Sequence, residues 1–172
     1  MQNARHRVGE IGEAAFVLKA TQLGLRVAKP LSDKESYDYI VDNGRDRHLI
    51  QVKATSKRAS KTAYHVTIAR GTRKDVPYKK GELDYLVIYV DPEQTFYILS
   101  RRALANRVAL SVPSLNRKNL GRFAKHHERW DLLTGKKYKP TPGTVDLQAS
   151  ADPAASPCGA DTPVRVVLLE AV

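Results

Sequence analysis

The strongest constraint on the fold is a predicted β-hairpin in the first third of the chain. Two runs rich in β-branched and aromatic residues, 37–42 and 49–54, flank the dipeptide Asn43-Gly44. An Asn-Gly pair between two such runs is a strong local signal for a tight turn joining antiparallel strands. The sequence therefore predicts that these two segments pair side by side.

The length of the hairpin loop decides which residues face each other. A two-residue loop pairs Asp42 with Arg45, whereas a four-residue loop pairs Asp42 with Arg47. The four-residue loop also opposes Tyr39 to Ile50 and places apolar pairs on both faces of the hairpin. We expect both strands to lie inside a sheet.

Three polar side chains share one face of this hairpin in either register. Because side chains alternate along a strand, Asp38 points the same way as Gln51 and Lys53, and in the longer register it lies opposite Gln51. A cross-strand ion pair between Asp38 and Lys53 is the structural interpretation of this pattern. The chemical interpretation is a centre for phosphoryl chemistry.

Other segments predict a mixed α/β protein. Residues 9–22 lack proline and carry apolar residues on two helical faces, which indicates a helix packed on more than one side. Further patterns predict strands at 25–28, 64–69, 83–90 and 95–99, a short helix at 101–107, and a last helix between 114 and 133 that ends near Gly135.

Charge and proline content divide the chain near residue 139. Residues 1–139 contain 28 basic and 14 acidic residues, a net charge of +14, within a chain whose total is +11. Residues 140–172 carry a net charge of −3 and five of the nine prolines. We therefore predict a domain at 1–139 and a disordered acidic tail rich in proline and alanine at 140–172, with a short terminal strand at 164–169 as an alternative.

The basic charge predicts an anionic partner, and the sequence narrows the setting. Cys158 is the single cysteine, which excludes an internal disulfide framework and favours a reducing, cytoplasmic compartment. The first twenty residues have no apolar signal segment, and the longest late apolar run, 166–169, is too short to cross a membrane. We expect a soluble protein with no membrane partner.

The polar face supplies oxygen ligands and a cation. Asp38 and the side-chain oxygen of Gln51 are donors that a hard divalent cation prefers. Lys53 is placed to orient an attacking water or to neutralise charge on a phosphate. Glu13 on the first helix adds a second carboxylate, and Glu10, one turn earlier, is the alternative.

The segments 12–15, 37–41 and 50–54 together resemble the PD-(D/E)XK nuclease superfamily, in the branch with a Gln-x-Lys signature that includes intron-encoded homing endonucleases. The resemblance covers roughly residues 5–133. It implies a restriction-endonuclease-like core, a central mixed β-sheet flanked by α-helices, and Mg²⁺-dependent hydrolysis of DNA, with Mn²⁺ as a substitute. It assigns catalysis to Glu13, Asp38, Gln51 and Lys53, and metal binding to Glu13, Asp38, Gln51 and the carbonyl of Val52.

Basic residues near this site predict contacts with DNA phosphates. They cluster just after Lys53 and near the amino terminus, where they would grip the backbone and make binding depend on salt. The candidates are Arg5, Arg7, Lys57, Arg58, Lys61, Arg70, Arg73 and Lys74.

The leading functional hypothesis is a metal-dependent DNA endonuclease. Since one chain has one such centre, cutting both strands would require a homodimer or a higher oligomer. The first alternative is a DNA-binding module of the same fold without catalysis, because Gln51 stands where most of the superfamily has a carboxylate. The second is an RNA-associated scaffold with a different fold, in which Glu13 would lie far from Lys53.

Overall fold

A computed structural model describes residues 4–32, 34–69, 76–115 and 121–136, with side chains from residue 6 onward. The helices are α1 (Ala4–Gln22), α2 (Arg101–Leu104) and α3 (Asp131–Thr134), with 3-10 turns at Asp91–Glu93 and Ala124–His126. The strands are β1 (Arg26–Ala28), β2 (Tyr39–Asp42), β3 (Arg47–Thr55), β4 (Arg58–Ser60), β5 (Ala63–Thr67), β6 (Tyr85–Val90), β7 (Thr95–Ser100) and β8 (Ala109–Pro113).

The central sheet has five strands in the order β1-β2-β3-β6-β7. The β3 and β6 strands run parallel and the other neighbours are antiparallel, so the sheet is mixed. The hairpin adopts the longer register, with Asp42 opposite Arg47 and Tyr39 opposite Ile50. Of the two registers that the sequence allows, the structure thus has the one with the four-residue loop, and the predicted internal position of both hairpin strands is confirmed.

Each face of the central sheet has its own apolar core. On one face α1 and α3 pack on Ile50, Val52 and their neighbours. On the other face lies a second sheet, in the order β4-β5-β8, whose Tyr64 and Val112 join Ile88 in a separate cluster that also includes Leu104 of α2. The fold is thus α/β with a central mixed sheet flanked by helices, as predicted.

The first helix buries one face, not two. Phe16 and Ala20 are fully buried, whereas Ile11 and Leu18 on the opposite face are 39% and 61% exposed. The prediction of a helix packed on more than one side was wrong, because α1 forms the outer layer of the described structure.

In the described ranges, no helix is long and apolar enough to span a membrane.

The carboxyl-terminal part of the domain departs from the predicted helix. Instead of one helix up to residue 133, residues 121–136 contain only the 3-10 turn at Ala124–His126 and the short helix α3. The predicted end near Gly135 is confirmed, because Gly135 caps α3 with a positive φ of 67°. Glu128 explains the interruption, because its carboxylate accepts hydrogen bonds from the Thr95 hydroxyl and the Phe96 N–H at 2.7 Å each. These bonds hold an extended segment against the edge strand β7.

Two strands were missed in the sequence, β4 and β8. The β4 strand has only three residues, all exposed, and therefore lacks an alternating pattern.

The predicted tail at 140–172 lies outside the described residues, as does its terminal strand.

Close packing of α1 on β3 yields a stability prediction at Gly12. A Cβ atom at this position would lie 2.5 Å from the Cβ of Ala54 and 3.4 Å from that of Tyr89. We expect Gly12→Ala to lower the free energy of unfolding by about 1–3 kcal/mol, because overpacking outweighs the better helix propensity of alanine. Urea denaturation measures the change.

Gly9 provides the matched control for Gly12. It lies on the same helix, and a Cβ there would meet no atom within 4 Å. Gly9→Ala should therefore stabilise the protein by up to about 1 kcal/mol. Equal stability of the two variants would contradict the close approach of α1 to β3.

Candidate active site

Asp38 lies where the chain enters β2 and is fixed by its neighbours across the hairpin. Its backbone N–H donates to the carbonyl of Ile50 at 2.8 Å, which continues the pairing of β2 with β3. Its Oδ2 atom accepts a hydrogen bond from the N–H of Val52 at 2.8 Å and another from the Gln51 side-chain amide. The carboxylate is thereby held in one orientation over β3.

The Gln51 amide nitrogen lies between two oxygens that were predicted as metal ligands. Gln51 is buried, and its Nε2 donates both to Asp38 Oδ2 and to the carbonyl of Val52, the latter at 3.3 Å. Both neighbours are acceptors, so the nitrogen rather than the oxygen of the amide must face them. The amide group thus donates hydrogen bonds to the same two oxygens, Asp38 Oδ2 and the Val52 carbonyl, that a cation would otherwise contact.

Lys53 shares a face with Gln51 and forms no ion pair with Asp38. The two residues alternate along β3 with Val52 and Ala54, which pack beneath α1, so they point to the opposite face. Within the described ranges, no ion pair includes Lys53. The predicted cross-strand ion pair with Asp38 is thus not formed among the described residues, and Lys53, which is half-buried, acts on Asp38 electrostatically without a direct ion pair.

Glu13 approaches the same region from α1. Its Oε2 accepts a hydrogen bond from the Tyr39 hydroxyl at 3.0 Å and forms an ion pair with Lys29 Nζ at 3.3 Å. Tyr39 follows Asp38 in the chain, so the two carboxylates are linked through adjacent residues. Glu10 is exposed on the same helix, whereas Glu13 contacts Tyr39, the neighbour of Asp38, and the geometry therefore favours Glu13 as the acid of the site.

The electrostatics of the site centre on Asp38. Burial raises the pKa of its carboxyl group above the ordinary value, and the nearby Glu13 carboxylate adds to the rise. The Val52 N–H, the charge of Lys53 and the Gln51 amide lower the pKa and offset part of this effect. Asp38 therefore contacts Gln51 directly and interacts electrostatically with both Glu13 and Lys53.

The raised pKa of Asp38 gives a pH-dependent stability prediction. A carboxyl group with a raised folded-state pKa contributes stability below its unfolded pKa of about 4, and this contribution is lost as pH rises through the folded value. Asp38→Asn removes that titration. We therefore expect the variant to gain stability relative to wild type as pH rises from about 4 to about 7, measured by urea denaturation.

Asp42 supplies a control of opposite sign. The Gly44 N–H and the Arg47 guanidinium lower the pKa of Asp42, so its contribution is present above the unfolded pKa and lost as pH falls. Asp42→Asn should lose stability relative to wild type over the same rise in pH. The same sign of change in both variants would contradict the assignment at Asp38.

An exposed, positively charged hairpin continues from β3. Lys57, Arg58 and Lys61 are all exposed on β4 and its flanking residues, and the Arg58 guanidinium lies 4.2 Å from the centre of the Tyr64 ring. Arg7 is exposed on α1. Of the other predicted phosphate contacts, the Arg5 side chain, Arg70, Arg73 and Lys74 lie outside the described residues.

Two residues of the site were missed in the sequence. Tyr39 reads as an apolar strand residue, and its role depends on the hydroxyl that reaches Glu13. Lys29 follows β1 and has no local pattern that separates it from other surface lysines. Lys29 lies next to Glu13 only because β1 pairs with β2 beside α1.

Comparison with known proteins finds one protein family and two solved structures that are similar to this chain. A sequence profile described as PD-(D/E)XK endonuclease matches residues 3–132. The solved structure of a bacterial homing endonuclease is similar with a TM-score of 0.65 and 24% identity, over 77% of this chain and 95% of that chain. A Holliday junction resolvase from the archaeon Archaeoglobus fulgidus gives a TM-score of 0.49 and 10% identity, over 76% and 98% of the two chains. No curated protein matches the sequence.

Proposed function

Because the chain belongs to the PD-(D/E)XK endonuclease family, we propose that it is a metal-dependent DNA endonuclease that hydrolyses phosphodiester bonds. The observation that carries the proposal is the cluster around Asp38, whose carboxylate contacts Gln51 and Val52 and feels the charges of Lys53 and Glu13. A carboxylate, an amide, a lysine and a second carboxylate from a helix suit hydrolysis of an anionic ester.

The donor set fits a hard divalent cation. Asp38, Glu13 and the Val52 carbonyl offer oxygen ligands, which Mg²⁺ and Mn²⁺ prefer, and the Gln51 side chain would add a further oxygen once its amide turns. Among the described residues no three His, Cys, Asp or Glu side chains form a metal cluster, so the amide and carbonyl have to complete the set. When bound, the ion supplies a Lewis acid that polarises the scissile phosphate.

The residues of the chain have separate tasks in this proposal. Gln51 turns its amide so that the oxygen, rather than the nitrogen, faces the ligand set beside Asp38. The ammonium group of Lys53 orients the attacking water or neutralises the charge that grows on the phosphate. Catalysis thus depends on Glu13, Asp38, Gln51 and Lys53 acting as one unit.

The DNA backbone is gripped by the positively charged hairpin. Lys57, Arg58 and Lys61 are exposed, and no acidic residue occurs between Lys53 and residue 69. Each phosphate contact makes the DNA affinity fall more steeply as the salt concentration rises. We also assign DNA contacts to Arg7 and, from the sequence alone, to Arg5, Arg70, Arg73 and Lys74.

We expect a homodimer or higher oligomer to cut both strands of a duplex, since each chain carries one centre. We place this activity in the cytoplasm, the compartment that a single cysteine favours.

A nuclease assay tests the proposed function directly. Purified protein is incubated with supercoiled, linear and branched DNA in Mg²⁺, in Mn²⁺ and in EDTA, alongside Asp38→Asn. We expect cleavage in either metal, none in EDTA, and none by the variant. Absence of cleavage on all three substrates in both metals would sink the proposal.

A DNA-binding module without catalysis is the second candidate. It is favoured by the Gln51 amide nitrogen, which donates to Asp38 in the place where a cation would lie. This candidate expects salt-sensitive DNA binding with no calorimetric signal for divalent metal. Metal binding that is lost in Asp38→Ala counts against it.

A further inference from the structure

Lys29 is a second lysine of the candidate site. It follows the short edge strand β1, and its Nζ atom lies 3.3 Å from Glu13 Oε2 and 5.6 Å from the centre of the Tyr39 ring. Its side chain is 61% exposed. The ammonium group of Lys29 therefore neutralises the Glu13 carboxylate from the solvent side.

Tyr39 holds the same oxygen of Glu13 from the buried side. Its ring belongs to the core beneath α1, and its hydroxyl donates to Oε2 at 3.0 Å. Burial, followed by the Glu13 carboxylate, raises the pKa of Tyr39, so that the phenol stays a neutral donor. The bond from Tyr39 is the fixed contact of Glu13, and the contact from Lys29 is the exposed one.

A divalent cation bound at this site would compete with Lys29 for the Glu13 carboxylate. A lysine ammonium is a compact, strongly hydrated charge on a flexible stem, so an exposed ion pair of this kind is weak. A doubly charged ion on Glu13 repels the ammonium group and satisfies the carboxylate in its place. Binding of the ion is then an exchange of one counter-ion for another, with no covalent change.

We propose that Lys29 is the displaceable counter-ion of Glu13 and becomes a phosphate-binding residue when a divalent ion takes the carboxylate. The inference rests on the proposed function, because it requires that Glu13 hold metal during DNA cleavage. After release, the ammonium group remains tethered beside the site, where the nearest new anion is the substrate phosphate. The site then presents Lys29 as well as Lys53 to the DNA.

Calorimetric titration of the DNA-free protein with Mn²⁺ and with Mg²⁺ tests the exchange. Lys29→Ala should bind the ion more tightly, by up to about fivefold, because the competing ammonium group is absent. The matched control is Arg26→Ala, at the start of the preceding strand β1, which removes an exposed cation paired at 3.1 Å with Asp42 rather than with Glu13. We expect Arg26→Ala to leave the metal affinity unchanged.

The possible results separate the inference from the proposed function. If wild type binds the ion and Lys29→Ala binds it equally or more weakly, the exchange is wrong and the proposed function stands. If neither protein binds Mn²⁺ or Mg²⁺, the metal dependence fails and the exchange fails with it. Tighter binding by Arg26→Ala to the same degree also overturns the exchange, since any lost cation would then suffice.

A second measurement tests the transfer to phosphate. Lys53→Ala serves as the reference protein, because it should bind duplex DNA without cutting it. Its DNA affinity is compared with that of the double variant Lys29→Ala/Lys53→Ala over a series of salt concentrations, in Mn²⁺ and in EDTA. In Mn²⁺ the loss of Lys29 should lower the salt slope by about one, and in EDTA it should change nothing. An equal change in both conditions, or none in Mn²⁺, overturns the transfer.

Discussion

Lys53→Ala is expected to slow DNA cleavage by at least about a hundredfold while the protein remains folded. The ammonium group is half-buried on β3, forms no ion pair among the described residues, and acts electrostatically on Asp38. On the proposed function, truncation removes the charge that stabilises the transition state and breaks no ion pair among the described residues. Single-turnover cleavage at saturating DNA measures the effect.

Lys57→Ala is the control for this prediction. Lys57 lies four residues further along the chain and is exposed. Its loss should weaken DNA binding and lower the salt slope by about one, with the cleavage rate of bound DNA retained. Wild-type cleavage by Lys53→Ala would remove Lys53 from the mechanism and with it the leading assignment of this site.

Trp130→Ala is expected to lower the free energy of unfolding by about 3–5 kcal/mol. Trp130 is fully buried, and its ring stacks at 6.0 Å on Phe16 of α1 and meets Phe96 of β7 edge-on at 5.1 Å. Its Nε1 donates to Glu128 at 2.7 Å. Truncation leaves a cavity between the helix that carries Glu13 and the sheet, so the whole domain should lose stability.

Chemical denaturation with a surface control tests this role. Leu18→Ala removes a large apolar side chain from the exposed face of α1 and should change stability by no more than about 0.5 kcal/mol. Similar losses in both variants would show that the exposed face of α1, and not the core around Trp130, carries the stability of this layer.

Much of the site follows from local pattern. The Asn43-Gly44 turn and the two-residue periodicity of its flanking strands predict that Asp38 and Gln51 share a face in either register, and in the structure, which has the longer register, the two side chains are in contact. Lys53 then falls on the same face by alternation alone. These relations are predictable because they depend on residues close in sequence and on the geometry of a single hairpin.

Other features depended on contacts that no local pattern encodes. The direction of the Gln51 amide is set by Asp38 and Val52 together, so the side-chain oxygen predicted as a ligand faces away from both. The helix predicted up to residue 133 fails because Glu128 bonds to Thr95 and Phe96 on β7. In both cases a side chain chooses among partners that only packing brings near.

The sequence by itself determined the mixed α/β class, the hairpin and the common face of Asp38, Gln51 and Lys53, since strand periodicity and turn chemistry act between neighbours. Tertiary structure decided the parallel pairing of β3 with β6 and the union of Glu13, Lys29 and Tyr39. Those three residues come from a helix, the end of an edge strand and an internal strand. They meet because burial of apolar surface, not local preference, sets how these elements pack.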